Sequence, residues 1–515
     1  MTNTDVIIIG AGPTGLALAC QLIRYGVDFI IIDEKDTTTP YSKAIGVQAR
    51  TLEIYDQIGL AHKLSSQGAI AEGAKLFAGG KIRGEIDFRD IGRGLSPFPG
   101  VLIVEQGKHE KLLYEYITSH GVDVRWQTEL TTFAQDDAGV TAELRGRDGR
   151  AESIEAKYLI ACDGAKSPVR HTLGLSFEGS TFERMFYVAD VGIDWKYGSG
   201  GLFAFLMRDN LLVVFTMDGE NRYRIVGTFP EEFAKDEGDI LYEEIEEQIR
   251  KDAEIEFDIT NVNWFSTYKV HTRHVERFSK GRCFLAGDAA HIHTPAGAQG
   301  MNTGIQDGYN LAWKLAFVLK GHADDKLLET YNEERLPNAE NLLRTTDRFF
   351  NLVANPNPLF AFFRIYIFPF VAKFVSQLYF VRAFVFPRIS QIAINYRGSS
   401  LSKNDGSFRV KAGDRMPWVQ VDGHSIYDGL KTPQFHLLYF HDGKGGPGVM
   451  DNLIPDNWKE RIDAQTFSLY PEIAEKFGSD GSFVVILRPD NYIGMISDDT
   501  SAENIQSYLN LTTRL

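Results

Sequence analysis

The sequence opens with a glycine-rich motif that strongly limits how the chain can fold. Val6 to Ile9 form an unbroken apolar run, which is typical of a strand buried on both faces of a parallel sheet. In the turn that follows, Gly10 permits a tight bend, Gly12 lets the backbone approach a pyrophosphate, and Gly15 lets the next helix pack closely. That helix, expected from about Thr14 to Tyr25, directs its N-terminal N–H groups toward the phosphates. The motif therefore predicts a dinucleotide site.

An acidic pair ends the second predicted strand. Phe29 to Ile32 form another apolar run, and Asp33 and Glu34 follow it. An acid about 20 residues beyond the glycines accepts hydrogen bonds from ribose hydroxyls and repels a 2′-phosphate. We therefore do not expect NADP to bind at this glycine motif.

Charge and cysteine content exclude several classes of function. The 515-residue chain has a net charge of −15. This argues against a nucleic-acid partner, which requires a basic surface, and against electrostatic binding to an anionic membrane. The cysteines Cys20, Cys162 and Cys283 lack metal-ligand spacing, so we expect no metal site. Reduced thiols and a start without a signal-like segment predict a cytoplasmic protein.

Two later motifs narrow the choice of cofactor. Tyr158 to Arg170 reads as a strand, a tight turn at Asp163 and a helix start, and Gly281 to His291 contains a Gly-Asp pair ending at Asp288. Together with the first motif, in this order and spacing, they resemble the class A flavoprotein aromatic hydroxylases, which share the p-hydroxybenzoate hydroxylase fold. The resemblance implies one FAD held by distant parts of the chain. It places Asp163 near the flavin and the path of the nicotinamide, and Asp288 on the ribityl chain.

Smaller resemblances add residues to this site. The segment 295–307 resembles the loop and helix start beside the isoalloxazine, which implies that the N–H groups of Met301 and Asn302 stabilise negative charge on the reduced flavin. Lys43 stands where relatives usually carry an arginine, and Gln106 where the family places a glutamine on the cofactor. A surface lysine and a helix-capping amide are the alternatives for these two. The predicted cofactor-binding residues are Gly10, Gly12, Thr14, Gly15, Asp33, Glu34, Lys43, Gln106, Asp163, Asp288, Gly300, Met301 and Asn302.

The motifs divide the chain into regions of an α/β fold. A Rossmann-like FAD domain is expected over 1–175 and 268–345, with an inserted, mostly antiparallel substrate-binding sheet over 176–267. Some of the insertion's aromatic residues should line the pocket, although strand alternation does not say which; they include Phe203, Phe205, Phe215 and Tyr223. A helical segment, 346–399, closes the core. Residues 400–515 resemble the thioredoxin-like tail of the phenol and polyketide hydroxylase branches, although no cysteine lies there for dithiol chemistry.

The segment 349–397 is dense in aromatic residues. A membrane span is not expected, because Arg364, Lys373, Arg382 and Arg388 interrupt the apolar run and prolines break it. Helices that pack over the pocket, a homodimer interface, an apolar lid for a large flat substrate and loose membrane association are the alternatives.

The resemblance implies a monooxygenase reaction. NADPH or NADH, bound transiently, reduces the FAD, and dioxygen then forms a flavin C4a-hydroperoxide that hydroxylates a phenolic or polycyclic aromatic substrate. No residue is assigned as catalytic acid or base, and His291 and His293 are expected to be structural or flavin-flanking rather than metal ligands. Two alternatives stay open: the same fold catalysing Baeyer–Villiger oxidation, epoxidation or antibiotic inactivation, and a flavin reductase that transfers no oxygen.

Overall fold

A computed structural model describes residues 2–40, 44–208, 210–230, 240–294, 296–354, 357–376, 378–421, 423–443 and 453–514. Numbered in chain order, its strands are β1 (Thr2–Ile9), β2 (Phe29–Ile32), β3 (Gly46–Val47), β4 (Ala69–Ala71), β5 (Gly73–Ala78), β6 (Lys81–Asp87), β7 (Val101–Ile103), β8 (Thr128–Gln135), β9 (Val140–Gly146), β10 (Ala151–Ala161), β11 (Phe177–Asp194), β12 (Gly201–Leu206), β13 (Leu211–Thr216), β14 (Arg222–Thr228), β15 (Asp258–Val275), β16 (Ser279–Lys280), β17 (Cys283–Leu285), β18 (His291–Ile292), β19 (Lys403–Asp405), β20 (Gln420–Val421), β21 (His424–Ser425), β22 (Phe435–His441), β23 (Ile462–Ser468), β24 (Phe483–Leu487) and β25 (Ile493–Ser497).

The helices are α1 (Pro13–Tyr25), α2 (Ala49–Asp56), α3 (Ala61–Ser65), α4 (Gln106–Ser119), α5 (Pro168–Leu173), α6 (Tyr242–Ala253), α7 (Gly300–Leu319), α8 (Glu329–Ala354), α9 (Pro358–Phe362), α10 (Phe368–Val375), α11 (Tyr379–Ile389), α12 (Pro471–Phe477) and α13 (Ala502–Arg514). A π-helical turn, Phe363–Ile367, joins α9 to α10.

The first sheet carries the glycine motif. Its strands follow the order β16-β17-β10-β1-β2, and β1 runs parallel to both of its neighbours, β10 and β2. The apolar run predicted from Val6 forms the central strand, in which Val6, Ile7 and Ile8 are fully buried. This confirms the predicted α/β class, with a seven-stranded sheet that is parallel at its centre and antiparallel at β8, β9 and β16, and whose central strand ends at the glycine turn.

The second sheet is mostly antiparallel, in the order β18-β15-β11-β14-β13-β12-β5-β6. Only the pairing of β12 with β5 is parallel among the strand pairs described in it. Two of its strands, β5 and β6, lie in sequence before the predicted insertion, so this sheet is larger than the segment 176–267. The domain boundaries at 175, 267, 345 and 399 stay predictions.

The C-terminal region forms a third, mixed sheet in the order β19-β25-β24-β22-β23. A buried ion pair joins it to the rest of the chain: the Arg488 guanidinium lies 2.5 Å from a Glu334 carboxylate oxygen on α8. Asp490, in the C-terminal region itself, lies 2.5 Å from the same guanidinium. Lys314 on α7 adds a bond of 2.8 Å to Glu334. Burial acts to raise the pKa of Glu334, but Arg488 and Lys314 outweigh it and lower that pKa. The cluster is balanced in charge, as a buried ionic group must be.

Candidate cofactor and substrate site

The glycine turn between β1 and α1 has the shape predicted for it. Gly10 has φ +102°, and a Cβ on it would lie 2.4 Å from the carbonyl oxygen of Cys162. A Cβ on Gly15 would lie 1.9 Å from the carbonyl oxygen of Gly10. Around Gly12, by contrast, a Cβ would meet no described atom within 4 Å. The turn thus needs glycine sterically at two positions and leaves open space at the third, directly before the N-terminus of α1.

The two acids after β2 are placed differently. Asp33 is buried, and its carboxylate accepts hydrogen bonds from the N–H of Ala11 at 2.7 Å and of Lys35 at 2.9 Å. Asp33 therefore holds the glycine turn in shape. Glu34 is exposed, and its carboxylate is the better placed of the two to accept bonds from ribose hydroxyls.

The first and third motifs meet directly, although they lie about 275 residues apart. A Cβ on Gly287 would be 2.5 Å from the Thr14 hydroxyl, and a Cβ on Gly304 would be 2.4 Å from the same atom. The Thr14 side chain therefore packs between α1, the Gly287–Ala289 turn and α7. Its backbone N–H belongs to the first turn of α1. Asp288 is exposed in that turn.

Asp307 on α7 supports the Gly287–Ala289 turn. Its carboxylate accepts hydrogen bonds from the Gly287 N–H at 2.9 Å, from His291 Nε2 at 2.8 Å and from Arg335 Nε at 2.6 Å. Burial acts to raise the pKa of Asp307, but Arg335 and His291 outweigh it and lower the pKa. His291 is thus a structural partner of Asp307. Among the described residues, no group of three His, Cys, Asp or Glu side chains is placed to hold a metal.

The start of α7 is tied to the loop that follows residue 44. Asn302 is fully buried, and its amide group donates to the carbonyls of Gly46 at 2.9 Å and Ala298 at 2.8 Å. It accepts from the Gln48 N–H at 2.9 Å and from the Thr51 hydroxyl at 2.7 Å. The Asn302 side chain therefore positions the helix, which leaves the backbone of the first turn to face a ligand.

His293 lies beside this helix start. Its Nε2 would be 3.1 Å from a Cβ on Gly300, and its Nδ1 lies 2.7 Å from the carbonyl oxygen of Thr294. Burial, with a smaller contribution from His291, lowers the pKa of His293 to about 4. The ring is therefore neutral at neutral pH. Its neighbour Met301 is half-buried and packs against the core of the first sheet.

The middle motif joins the same cluster. Asp163 follows Cys162, which contacts Gly10, and accepts a bond from the Val169 N–H at 3.2 Å; burial raises its pKa. Arg170 donates to the carbonyl oxygens of Ala165 at 2.8 Å and Ala289 at 2.9 Å. It thereby joins the turn of Asp163 to the turn of Asp288. Roles for Arg170, Asp307 and Arg335 were not predicted from the sequence, although the first two residues lie inside the motifs 158–170 and 295–307.

The two remaining predicted residues are Gln106 and Lys43. The Gln106 side chain begins α4, accepts from the Ala44 N–H at 3.1 Å and donates to Glu110 at 2.8 Å. Neither bond caps the helix, because among the described residues no side chain accepts from the first N–H groups of α4; the Gln106 side chain instead ties α4 to residue 44. Lys43 lies outside the described residues.

The second sheet presents one face to α6 and the other to residues at β3, β4 and β7. Phe203, Phe205 and Tyr223 belong to the buried core that includes Ile245 of α6. Phe215 lies on the opposite face, packed near Ile45, Ile103 and Leu202. Of the four aromatic residues considered for the pocket, only Phe215 lies on that side.

The register across five strands defines the rest of this second face, which we call the substrate face. Its central row is Leu202, Phe215, Arg224, Asp190 and Trp264. The next row is Ala204, Val213, Val226, Val188 and Ser266. Most of these side chains are apolar, and the charges of Arg224 and Asp190 compensate each other through bonds of 2.6 Å. The face joins the α7 start through Ile45, which belongs to the hydrophobic cluster that Phe215 packs against, and Gly46, whose carbonyl accepts a bond from Asn302.

The geometry fits a flavin dinucleotide. The open space at Gly12 and the α1 N-terminus suit the pyrophosphate, and Glu34 suits the ribose. Asp288 suits a polyol chain, and the start of α7 suits an anionic ring edge.

Comparison with known proteins agrees with this geometry. The profile of a family described as FAD binding domain matches residues 3–346. A flavin-dependent monooxygenase of Mycobacteroides abscessus is 32% identical over 521 residues, which cover 98% of this chain and 99% of that protein. A 12-dehydrotetracycline 5-monooxygenase/anhydrotetracycline 6-monooxygenase of Streptomyces rimosus is 31% identical, over 95% of this chain and 94% of that protein.

A solved structure shows the same architecture. The OxyS anhydrotetracycline hydroxylase from Streptomyces rimosus superposes with a TM-score of 0.77 at 28% identity, covering 99% of each chain. The similarity therefore extends beyond residue 346 and includes the C-terminal sheet.

Proposed function

This chain belongs to the FAD binding domain family, whose relatives are flavin-dependent monooxygenases of aromatic compounds, and from that premise we propose that it hydroxylates a phenolic or polycyclic aromatic substrate with NADPH or NADH as reductant. Bound FAD would supply the redox chemistry, namely hydride acceptance from the nicotinamide and the activation of dioxygen. The protein has to bind the ring, orient it and keep water out.

The substrate face carries this proposal. Neighbouring strands lie about 4.8 Å apart, so five strands span about 19 Å. Two residues along a strand advance about 6.8 Å, so the face is wide enough for several fused rings. Its half-buried apolar side chains, such as Leu202, Val213 and Phe215, give a large aromatic substrate a surface from which water is displaced.

Arg224 supplies the polar orienting group in this proposal. Its Nε and Nη2 bind Asp190, whereas its buried Nη1 has no hydrogen-bond partner among the described residues. A buried guanidinium N–H without a partner is costly, and a phenolic or carbonyl oxygen of a substrate on this face would satisfy it. The start of α7, held by Asn302, would stabilise negative charge on the flavin ring edge.

NADPH oxidation by the FAD-loaded protein tests the proposal. A panel of phenols and polycyclic phenolic compounds is assayed while oxygen uptake and peroxide release are followed. We expect one compound to accelerate NADPH oxidation many-fold and to gain one oxygen atom without matching peroxide. Turnover that ends entirely as peroxide, or product formed without oxygen uptake, would contradict hydroxylation. A product with oxygen inserted into a C–C bond would identify Baeyer–Villiger oxidation, and an epoxide product would identify epoxidation.

A pair of variants tests the substrate face itself. Phe215→Ala removes an aromatic ring from the face, and we expect KM for the aromatic substrate to rise about tenfold, as expected for about 1.4 kcal/mol of lost contact. The matched control is Phe265→Ala, on the α6 side of the same sheet, where the ring is 39% exposed and contacts Tyr242. Equal effects of the two substitutions would show that the substrate does not lie on this face.

The C-terminal region is part of the same proposal. We propose a thioredoxin-like fold for 400–515, supported by the parallel pairing of β22 with β23, the antiparallel pairing of β24 with both β22 and β25, and the two helices α12 and α13. The predicted cytoplasmic location is supported by the three cysteines, which are free in the structure. The cofactor-binding roles of the thirteen predicted residues are likewise proposals that FAD titration of variants can test.

A further inference from the structure

The helices between residues 357 and 389 expose an unusual amount of aromatic surface. Seven side chains there have exposed fractions between 55% and 80%: Leu359, Phe362, Tyr366, Phe370, Phe374, Phe380 and Phe384. Five of them, from Leu359 to Phe374, recur every three or four residues, so they share one side of the helical stretch α9–α10. We call this side the aromatic face. Exposed apolar surface on this scale marks a binding surface.

The opposite side of the stretch is fixed to the protein. Ala361, Arg364, Pro369 and Ala372 are buried. The Arg364 guanidinium donates to the carbonyl oxygen of Met207 at 2.8 Å and to that of Arg208 at 2.6 Å. A Cβ on Gly84 of β6 would lie 2.4 Å from the Pro369 carbonyl oxygen, so the helix lies against that strand.

This attachment determines how the stretch can meet a lipid bilayer. Pro358–Val375 has a mean hydropathy of 1.6 over 18 residues and is long enough, by length and composition only, to cross a membrane, yet only 17% of it is buried. Because its inner side is bonded to the second sheet, it lies along the protein surface. A helix held this way can enter the interface region of a bilayer with its axis parallel to the membrane.

The helical segment that carries the aromatic face has charges of one sign. From Arg348 to Asn404 the sequence contains no Asp or Glu, although the whole chain has a net charge of −15. Lys373 and Arg388 are exposed within this segment. The adjacent segment 81–93 holds Glu85, Asp87 and Asp90, together with Lys81, Arg83, Arg89 and Arg93, so its own charges nearly cancel. The acidic residues that give the chain its net negative charge therefore lie mostly outside these two segments.

We propose that the aromatic face binds an anionic lipid surface, with α9 and α10 lying in the plane of the headgroups. Aromatic rings are favoured at the boundary between headgroups and acyl chains, and lysine and arginine beside them are attracted by anionic lipids. A second copy of this chain fits less well, because a two-fold contact through this face would bring Lys373 and Arg388 toward their own copies. The net negative charge of the chain argues against electrostatic binding to an anionic membrane, but this local surface lacks that negative charge. The proposal does not depend on the identity of the substrate.

Vesicle co-sedimentation of the full-length, FAD-loaded protein tests the proposal. We expect binding to phosphatidylcholine vesicles containing about 30% phosphatidylglycerol, at least about tenfold stronger than to phosphatidylcholine alone and weakened by salt. Substituting both Phe370→Ser and Phe374→Ser should reduce binding at least about tenfold, because both rings are exposed and enter the lipid. The flavin absorbance and the vesicle-free rate of NADPH oxidation should stay unchanged.

Leu241→Ser is the matched control, since Leu241 is 63% exposed outside the aromatic face, and it should bind vesicles like the unmodified protein. Failure to bind anionic vesicles, or equal binding by the Phe370→Ser/Phe374→Ser variant, would overturn the proposal. Sedimentation velocity provides a further measurement. A dimer that dissociates in the double variant would assign the aromatic face to a second copy of the chain instead.

Discussion

Substitution of Gly12 by alanine should separate cofactor binding from folding. Gly12 has φ −78° and ψ −173°, a conformation that alanine adopts freely, and a Cβ there meets no described atom within 4 Å. We therefore expect the free energy of unfolding of the FAD-free protein to change by less than about 0.5 kcal/mol. The new methyl group, however, occupies the space through which a pyrophosphate would approach the α1 N-terminus.

The loss of FAD affinity can be estimated. A hydrogen bond to a charged group contributes about 1.5–3 kcal/mol, so displacing a phosphate from two N–H groups costs about 3 kcal/mol or more. This weakens binding by a factor of about 100 or more. Titration of the FAD-free protein, followed by flavin fluorescence, measures the dissociation constant, and thermal unfolding of the same samples measures stability.

Gly15→Ala is the informative comparison. Its Cβ would lie 1.9 Å from the Gly10 carbonyl oxygen, so the turn and α1 must move apart, and both stability and FAD affinity should fall. A Gly12→Ala protein that binds FAD within about threefold of the unmodified protein would refute the assignment of the pyrophosphate to this turn. A large loss of stability in Gly12→Ala without FAD would refute the separation of the two effects.

Three further predictions concern buried charged groups. Glu334→Gln leaves the buried Arg488 and Lys314 short of a counter-charge, and we expect chemical denaturation to show a loss of about 3–5 kcal/mol; a loss below about 1 kcal/mol would contradict a structural role. Burial lowers the pKa of His109 to about 3 from 6.5, so the unfolded chain binds a proton that the native protein does not. Stability therefore falls as pH drops from about 6.5 toward 3, by about 2 kcal/mol at pH 5 for this group, and His109→Gln should flatten that part of a pH series of unfolding curves, an effect whose absence would exclude His109. Asp307→Asn weakens the support of the Gly287 turn, so we expect the FAD dissociation rate to rise about tenfold, and an unchanged rate would show that the turn is held without it.

Local motifs could be predicted from the sequence because their reasons are local. A buried apolar strand, a glycine at positive φ in the turn after it and an acid after the next strand are each set by residues close in the chain, and the structure shows β1, the Gly10–Gly15 turn and β2 where these patterns lie. The family resemblance depended on the same short segments. The comparisons confirm it.

The supporting contacts could not be predicted because they join distant residues. Nothing near Asp33 in the sequence shows that its carboxylate turns back to the Ala11 N–H while Glu34 stays exposed. The contact of Thr14 with Gly287 and Gly304 depends on how α1 and α7 pack. Strand alternation alone did not say which face of the sheet α6 covers. The sequence therefore could not distinguish Phe203, which lies on the α6 side, from Phe215, which lies on the opposite side.

The contact of Thr14 with Gly304 also affects how the protein is made. About 290 residues separate the two, and at a synthesis rate of about 5–20 residues per second a ribosome needs about 15 to 60 seconds to translate them. During that time the nascent N-terminal strand and helix lack the segment that completes the proposed FAD site. FAD therefore joins a chain whose first half has already emerged, and it cannot serve as a template for the early folding of that half.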